Sequence, residues 1–145
     1  MKLEEFSQDD FERASRRLVR SLTRGKTTSS QPKAILLGGQ SGAGKTTIHR
    51  IKQREFQGNI IIIDGDSYRS FHPNYLGLQE KYGKDSVDYT KVFAGQMVEY
   101  LVDELSKQGY HLLIEGTLRT TEVPRKTAQL LITKGYQVSD RKSVV

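Results

Sequence analysis

The sequence predicts an α/β fold in which a parallel β-sheet is flanked by helices. Three short apolar runs read as strands, and segments with helical periodicity separate them: KAILLG (33–38), NIIIID (59–64) and YHLLIEG (110–116). The unbroken isoleucine run is typical of a parallel strand that is covered on both faces. A chain of 145 residues is long enough for one domain, which we expect to span residues 1–145.

The first predicted element is an amphipathic helix over residues 7–24, in an N-terminal helical region 1–25. Ser7 and Asp10 form a capping box at its start, and a hydrophobic staple is expected from the preceding Phe6. The apolar stripe of this helix comprises Phe11, Ala14, Leu18 and Leu22.

Three further helices and a fourth strand complete a predicted core over residues 33–138. The helices span 45–56, 86–108 and 122–134, and YQV (136–138) begins the strand. The first two of these helices are expected to turn apolar side chains inward, at Ile48, Ile51 and Phe56 and at Phe93, Met97, Tyr100 and Leu105.

The last residues of the chain change character. Residues 139–143 read Ser-Asp-Arg-Lys-Ser, without the apolar run expected of a central parallel strand. We therefore expect residues 139–145 to form a divergent tail and the sheet to be incomplete at the C-terminus. The first strand would then have an open edge, which favours aggregation.

Composition excludes several classes of protein. The chain has no cysteine for disulfides or thiolate metal sites, no signal-peptide pattern and no apolar run of membrane-spanning length. Its net charge of +6 is compatible with nucleic-acid binding, but its arginines do not alternate with aromatic residues as on single-strand platforms. We expect a cytoplasmic protein that binds neither nucleic acid nor membrane, and whose positive charges partly meet phosphate on a small ligand.

The segment GGQSGAGKTT (38–47) contains the phosphate-loop pattern G-x-x-x-x-G-K-T. It follows a predicted strand and opens a predicted helix, which is the context that the pattern requires, so the fold is expected to be of the P-loop NTPase type. Consecutive backbone N–H groups of such a loop wrap phosphates, and the helix start adds its positive dipole end. The predicted contacts to a purine triphosphate are Gly39, Gln40, Ser41, Gly42, Ala43, Gly44, Lys45, Thr46 and Thr47.

Two of these side chains have specific predicted roles. Lys45 reaches the β- and γ-phosphates, and the Thr46 hydroxyl is a Mg²⁺ ligand. The loop therefore predicts binding of a nucleoside triphosphate together with magnesium.

Two carboxylates follow the second predicted strand. Because ligands of open parallel sheets bind beyond the carboxyl ends of the strands, Asp66 is expected on the same edge as the phosphate loop. There it can accept the proton of a hydroxyl that attacks the γ-phosphate. The alternative is that Asp66 is an N-cap for the segment that begins at Ser67. Asp64 is expected to be structural or to belong to the magnesium shell.

The third strand ends on Glu115, where P-loop proteins carry the acid that holds magnesium through water. Arg119 follows closely and either pairs with phosphate or is solvated. The histidines are scattered, and none of His49, His72 and His111 is predicted to be a metal ligand. Spacing and context thus predict a small-molecule or small-nucleotide kinase without identifying its substrate.

Several segments together resemble the zeta-toxin family of bacterial toxin–antitoxin systems, and in particular its chromosomal Gram-positive members. They are SLTRGK, AILLGGQSGAGKTTIHRIKQREFQGN, IIIDGDSYR, YGKDSVDYT and LLIEGTLRTTEVPRKTAQLL, and the resemblance extends to about Val138. It implies phosphorylation of a 3′-hydroxyl of UDP-N-acetylglucosamine with ATP and magnesium, which diverts a cell-wall precursor. It also implies a cognate antitoxin, a small helical protein that blocks the nucleotide site.

The same resemblance assigns roles to individual residues. Asp66 matches the acid that takes the proton of the sugar hydroxyl, and Lys45 and Thr46 match the phosphate loop. Contacts to the sugar nucleotide are implied for Asp66, Glu99, Thr117 and Arg119. The expected catalytic set is Lys45, Asp66 and Arg119, and the expected metal site is Thr46 with Glu115.

Members of the family are longer than this chain, and the resemblance implies that it is C-terminally truncated. They continue after the fourth strand with a lid whose arginines clamp the transferring phosphate. Three interpretations therefore stay open: an active zeta-type kinase, a catalytically impaired remnant that binds nucleotide or antitoxin, and another small-molecule kinase. For the third, D-G-D-x-x-R after the second strand is also similar to adenylylsulfate kinases.

Overall fold

The computed structural model describes residues 2–38, 43–116 and 125–142. The described α-helices and strands follow one another along the chain in the order α1 (Gln8–Thr23), β1 (Lys33–Gly38), α2 (Ala43–Glu55), β2 (Ile61–Asp64), α3 (Tyr75–Tyr82), α4 (Ser86–Gln108), β3 (Leu112–Glu115), α5 (Arg125–Thr133) and β4 (Gln137–Lys142). Two 3₁₀ helices, Gly65–Phe71 and Gly83–Asp85, precede α3 and α4 respectively. The predicted α/β architecture is confirmed.

The four described strands form one parallel sheet in the order β2-β3-β1-β4. β1 is therefore central, with β3 on one side and β4 on the other. β4 pairs with β1 along its whole length, from Lys33 opposite Gln137 to Gly38 opposite Lys142. The expectation that β1 has an open edge is wrong, as is the expectation that residues 139–142 do not continue the strand. β4 lies at the edge of the described sheet, where polar residues are tolerated because only one side is paired.

Successive side chains of the central strands point to opposite faces of the sheet, and each face has its own apolar cluster. Leu36, Ile63 and Ile114 belong to the cluster that packs against α1, α4 and Leu131 of α5. The alternate residues, Ile35, Leu37 and Leu113, pack with Ile48 and Phe56 of the α2 segment. Since both faces are covered, the strands read as continuous apolar runs rather than as alternating ones.

The predicted start of α1 is confirmed in detail. The Ser7 hydroxyl accepts a hydrogen bond from the backbone N–H of Asp10 at 3.0 Å, and the rings of Phe6 and Phe11 stack 6.2 Å apart. Phe11 and Leu18 are buried against α4, as the apolar stripe predicts. This packing holds α1 on the face of the sheet that α4 also covers.

The prediction of an inward-facing side chain is wrong at two positions, Ile51 and Tyr100. Ile51 is 53% exposed, whereas Lys52 is buried. The face of α2 that meets the sheet follows the four-residue spacing of Ile48, Lys52 and Phe56, which leaves position 51 outside. The aliphatic stem of Lys52 covers apolar surface while its Nζ reaches Oε2 of Glu55 at 2.7 Å.

On α4, Phe93, Met97 and Leu105 are fully buried as predicted, but Tyr100 is 38% exposed. Its ring meets that of Phe11 edge-on at 6.1 Å, so it covers the rim of the core rather than filling its centre. The predicted bounds of α4 are confirmed. β2 and β3 are shorter than predicted, and α5 ends at Thr133, one residue before its predicted end. Residues 122–124, predicted to begin α5, lie outside the described residues.

His111 joins the beginnings of three strands. Its ring Nδ1 accepts a hydrogen bond from the backbone N–H of Lys33 at 3.0 Å, and its carbonyl accepts one from Ile61 at 2.9 Å. Burial lowers the pKa of His111, and the charge of Lys33 lowers it further. A neutral ring with an unprotonated Nδ1 is the form that this hydrogen bond requires.

In the described part of the chain, no helix combines the length and the apolar character needed to span a membrane.

We predict that Gly109→Ala destabilises the protein by about 1–3 kcal/mol, because a non-glycine residue is strained at a positive φ. Gly109 ends α4 with a φ of +90°, and an added Cβ would lie 3.0 Å from the carbonyl oxygen of Ser29. The measurement is the free energy of unfolding in urea.

Gly95→Ala is the matched control on the same helix. Nothing lies within 4 Å of a Cβ at Gly95, so alanine there should stabilise α4 by about 0.5–1 kcal/mol. Equal effects of the two substitutions would contradict the conformational role of Gly109.

Candidate active site at the carboxyl edge of the sheet

Three strands end side by side at one edge of the sheet. Glu115 pairs in register with Leu37 of β1 and with Asp64 of β2, and the N–H of Gly116 donates to the carbonyl of Leu37 at 3.1 Å. This edge therefore brings together the end of the strand that leads into the phosphate loop and two carboxylates, Asp64 and Glu115.

The described residues include only the second half of the phosphate-loop pattern. Gly39, Gln40, Ser41 and Gly42 lie outside the described residues. The backbone of Ala43, Gly44 and Lys45 forms the start of α2, but their side chains lie outside the described part. Thr46 and Thr47 follow in the first turns of α2 and have exposed side chains. Hence α2 begins directly after the loop pattern, as the pattern requires.

Asp64 caps the 3₁₀ helix that follows β2. Its carboxylate accepts hydrogen bonds from the backbone N–H of Asp66 at 3.2 Å and from the Ser67 hydroxyl at 3.0 Å. The capping role considered for Asp66 thus belongs to Asp64, which agrees with the structural role expected of Asp64. Asp66 occupies the first turn of the same 3₁₀ helix.

The Asp66 side chain is 19% exposed, and its Oδ1 lies 3.4 Å from Nε of Arg69. Partial exposure allows a solute to approach the carboxylate, and the neighbouring guanidinium supplies an opposite charge. A carboxylate of this kind can accept a proton from a bound hydroxyl group. Arg69 has no role in the prediction from sequence, although its i, i+3 spacing from Asp66 is a usable signal.

Glu115 is buried at the end of β3, and its Oε1 is in contact with Nε2 of His49 on α2. A carboxylate oxygen in this position accepts a hydrogen bond from the ring N–H. His49 lies one turn after Thr46, on the same side of the helix. The pair therefore ties the first turns of α2 to the strand end. Sequence reasoning missed it because 66 residues separate the partners.

A third side chain, that of Tyr68, is buried near Asp64 and Glu115. Burial raises the pKa of the Tyr68 hydroxyl well above its ordinary range, and the nearby charges of Asp64 and Glu115 act in the same direction. The phenol therefore remains protonated at neutral pH.

Thr46 and Glu115 are the residues that were predicted to hold magnesium. Magnesium keeps several waters and takes one or two protein oxygens together with phosphate oxygens. An exposed threonine hydroxyl in the first turn of α2 and a carboxylate at the adjoining strand end fit that donor set. No group of three or more His, Cys, Asp or Glu residues suited to a metal ion occurs among the described residues.

Of the predicted sugar-nucleotide contacts, Asp66 and Glu99 are among the described residues. Glu99 lies exposed on α4, with its Oε1 3.5 Å from Nζ of Lys126 on α5. Thr117 and Arg119 lie outside the described residues. The structure therefore brings Asp66, Glu115 and the start of α2 to one edge, and it places Glu99 on a solvent-facing side of α4.

Comparison with known proteins gives consistent matches. The family model described as Zeta toxin matches residues 18–139. Toxin PezT of Streptococcus pneumoniae serotype 4 is 69% identical over 138 residues, which cover 95% of this chain and 54% of that protein. Toxin zeta of Streptococcus pyogenes is 42% identical over 132 residues, which cover 91% of this chain and 46% of that protein. The chain thus spans about half the length of the curated relatives it matches.

A solved structure is also similar throughout the chain. It comes from the molecular and structural characterization of the PezAT chromosomal toxin–antitoxin system of Streptococcus pneumoniae. The TM-score is 0.92 at 68% sequence identity, covering 98% of this chain and 59% of that one.

We predict that His49→Ala lowers the free energy of unfolding by about 1–3 kcal/mol, because it removes a hydrogen-bond partner from a buried carboxylate. Urea unfolding followed by circular dichroism measures the effect. Arg50→Ala changes the next, exposed residue of α2 and should stay within about 0.5 kcal/mol of the parent. A His49→Ala protein as stable as the parent would show that the contact with Glu115 contributes nothing to folding.

Proposed function

Because this chain belongs to the Zeta toxin family, we propose that it is a kinase that transfers the γ-phosphoryl group of ATP to a sugar-nucleotide hydroxyl. The acceptor is the 3′-hydroxyl of UDP-N-acetylglucosamine, and the cofactor is magnesium. The observation that carries the proposal is the phosphate-loop pattern between the end of β1, the central strand, and the start of α2 at Ala43. Asp66 and Glu115 support it, because they lie at the same edge of the sheet.

In the proposed reaction, the Asp66 carboxylate accepts the proton of the acceptor hydroxyl. The oxygen then forms a bond to the γ-phosphorus, the bond to the bridging oxygen breaks, and ADP leaves. Lys45 would contact the β- and γ-phosphates, and Arg119 would compensate charge on the transferred group. The short 3₁₀ helix capped by Asp64 holds Asp66 close to the strand end, which limits the orientations of its carboxylate.

Magnesium would be held by the Thr46 hydroxyl and, through water, by Glu115, and it would neutralise charge on the phosphates. The chain would contribute by holding the Thr46 hydroxyl and the Glu115 carboxylate in fixed positions relative to each other. The contact between His49 and Glu115 supports this role, because it joins α2 to the end of β3.

The choice of UDP-N-acetylglucosamine is supported by family membership and by residues that match the family pattern. Glu99, Thr117 and Arg119 would contact the sugar nucleotide. The exposure of Glu99 leaves its carboxylate accessible to a bound acceptor, and its ion pair with Lys126 is a surface pair.

A protein partner is the second part of the proposal. A relative of this chain comes from a toxin–antitoxin system, and by analogy an antitoxin would bind this chain over its nucleotide site. We predict that the antitoxin of the PezAT system weakens ATP binding to this chain when both are titrated together. Isothermal titration with ATP, with and without the antitoxin, measures the effect. Unchanged ATP affinity in the presence of bound antitoxin would contradict a block at the nucleotide site.

For the enzymatic proposal, we predict transfer of labelled phosphate from ATP to UDP-N-acetylglucosamine by the purified chain. Asp66→Asn should lower transfer by about 10²–10⁴-fold while ATP still binds, because only the proton acceptor is lost. Lys45→Ala should weaken both transfer and ATP binding, since its ammonium group contacts the phosphates.

Lys107→Ala is the control, because it removes an exposed cation at the far end of α4 and should leave transfer unchanged. Adenylylsulfate is offered as the competing acceptor. Preferential phosphorylation of adenylylsulfate would reject the sugar-nucleotide assignment, and transfer at the parent rate by Asp66→Asn would reject the role of Asp66.

A further inference from the structure

Arg69 is a buried cation next to the proposed proton acceptor. It is only 7% exposed, and it lies one 3₁₀ turn after Asp66. Its Nε is 3.4 Å from Oδ1 of Asp66, whereas its Nη1 donates to the carbonyl of Val87 at 2.7 Å and to the Thr90 hydroxyl at 3.2 Å. One guanidinium group therefore contacts both the Asp66 carboxylate and the first turns of α4.

The α4 side of this arrangement is firmly held. The Thr90 hydroxyl is buried and lies 3.3 Å from the carbonyl of Ser86, one turn earlier. Phe93 and Met97, on the following turns, are fully buried in the core. Arg69 is thus attached to a part of α4 that cannot move without disrupting the packing of the sheet.

Electrostatics gives this position an orienting role. The start of a helix carries a partial positive charge, so it is an unfavourable place for a cation in the absence of other partners. Burial of a guanidinium group is tolerated when its fixed fork of donors finds acceptors. The Asp66 carboxylate supplies the opposite charge, and the carbonyl of Val87 and the Thr90 hydroxyl supply acceptors with defined directions.

We infer that Arg69 is a positioning residue that fixes the orientation of the Asp66 carboxylate relative to α4. Contact with Oδ1 sets the plane of the carboxylate and hence the direction of its second oxygen. The effect on catalysis rests on the proposed function, in which Asp66 accepts a proton, but the positioning itself does not. Arg69 is buried against α4.

The kinetic test compares Arg69→Gln with Arg69→Lys. We expect Arg69→Gln to lower kcat by about 10–100-fold, because a small misorientation of the acceptor is costly, and to leave the KM for ATP within about twofold. Arg69→Lys retains the charge without the fork and should give an intermediate kcat. Lys91→Gln, an exposed change on α4, is the matched control and should leave kcat unchanged.

Thr90→Val separates positioning of Asp66 from simple bracing of α4. It removes one acceptor from Arg69 but keeps the contact between Arg69 and Asp66, so we expect most of kcat to remain. If Arg69→Gln and Thr90→Val lower kcat and the melting temperature in parallel, Arg69 only braces the helix and the inference is overturned. A parent-like kcat for Arg69→Gln overturns it as well.

A spectroscopic test does not depend on turnover. In the ¹⁵N-labelled chain, Asp66→Asn should shift the Nε–H resonance of Arg69 and speed its exchange with water, whereas Asp9→Asn, on the exposed side of α1, should not. If Asp66→Asn changes neither the Nε–H shift of Arg69 nor its exchange with water, the inference is overturned, whether or not the chain transfers phosphate. If the resonance responds but the parent chain transfers none, the positioning stands and the proposed function has failed.

Discussion

The pairing of β1 with β3 is the constraint on which the rest of the molecule depends. Four residues of each strand are in register, from Ala34 opposite Leu112 to Leu37 opposite Glu115, and all of them are buried. A shift by one residue would exchange the two faces of the sheet and place the wrong side chains against α2 and α4. The same register decides which residues stand at the carboxyl edge.

Two helices convert that register into a candidate site, and polar contacts join each of them to the carboxyl edge. On one face of the sheet, α2 is joined to the end of β3 by His49 and Glu115. On the other face, α4 is joined to the turn after β2 through Arg69. The apolar clusters hold the helices against the sheet, and the polar contacts set the positions of individual carboxylates. Packing alone would place the helices but would leave the side chains at the edge free to reorient.

The parts of the fold that could be predicted from sequence are those governed by local signals. The Ser7 cap, the glycine end of α4 and the isoleucine run of β2 each depend on a few neighbouring residues. The beginning of β4 could be predicted from YQV, but its continuation over residues 139–142 could not, because these polar residues form a strand only through pairing with β1. At positions 51 and 52, the direction of α2 relative to the sheet decides which side chain is buried, so that Lys52 is buried and the apolar Ile51 is exposed.

For the candidate site, the pattern of strand ends predicted that Asp66 and Glu115 would share an edge, since this follows from topology. The partners of these residues could not be predicted in the same way. His49 and Glu115 meet only in the folded chain, and Arg69 is buried because α4 lies against the 3₁₀ helix. The contact of His49 with Glu115 and the burial of Arg69 have no counterpart in the sequence, and only the i, i+3 spacing of Asp66 and Arg69 is a local signal.

At the opposite edge of the sheet, the ring of His111 binds a proton more tightly in the unfolded chain than in the folded protein. Its pKa is lowered from the ordinary 6.5 in the folded protein, so in mildly acidic solution the unfolded state binds more protons at this ring than the folded state does. Its contribution to stability is complete above pH 6.5 and is lost as the pH falls through the lower folded-state pKa. Protonation would also remove the acceptor for the N–H of Lys33. Acid therefore loosens the sheet from its amino edge, where strands begin, while Asp66 and Glu115 lie at the far end.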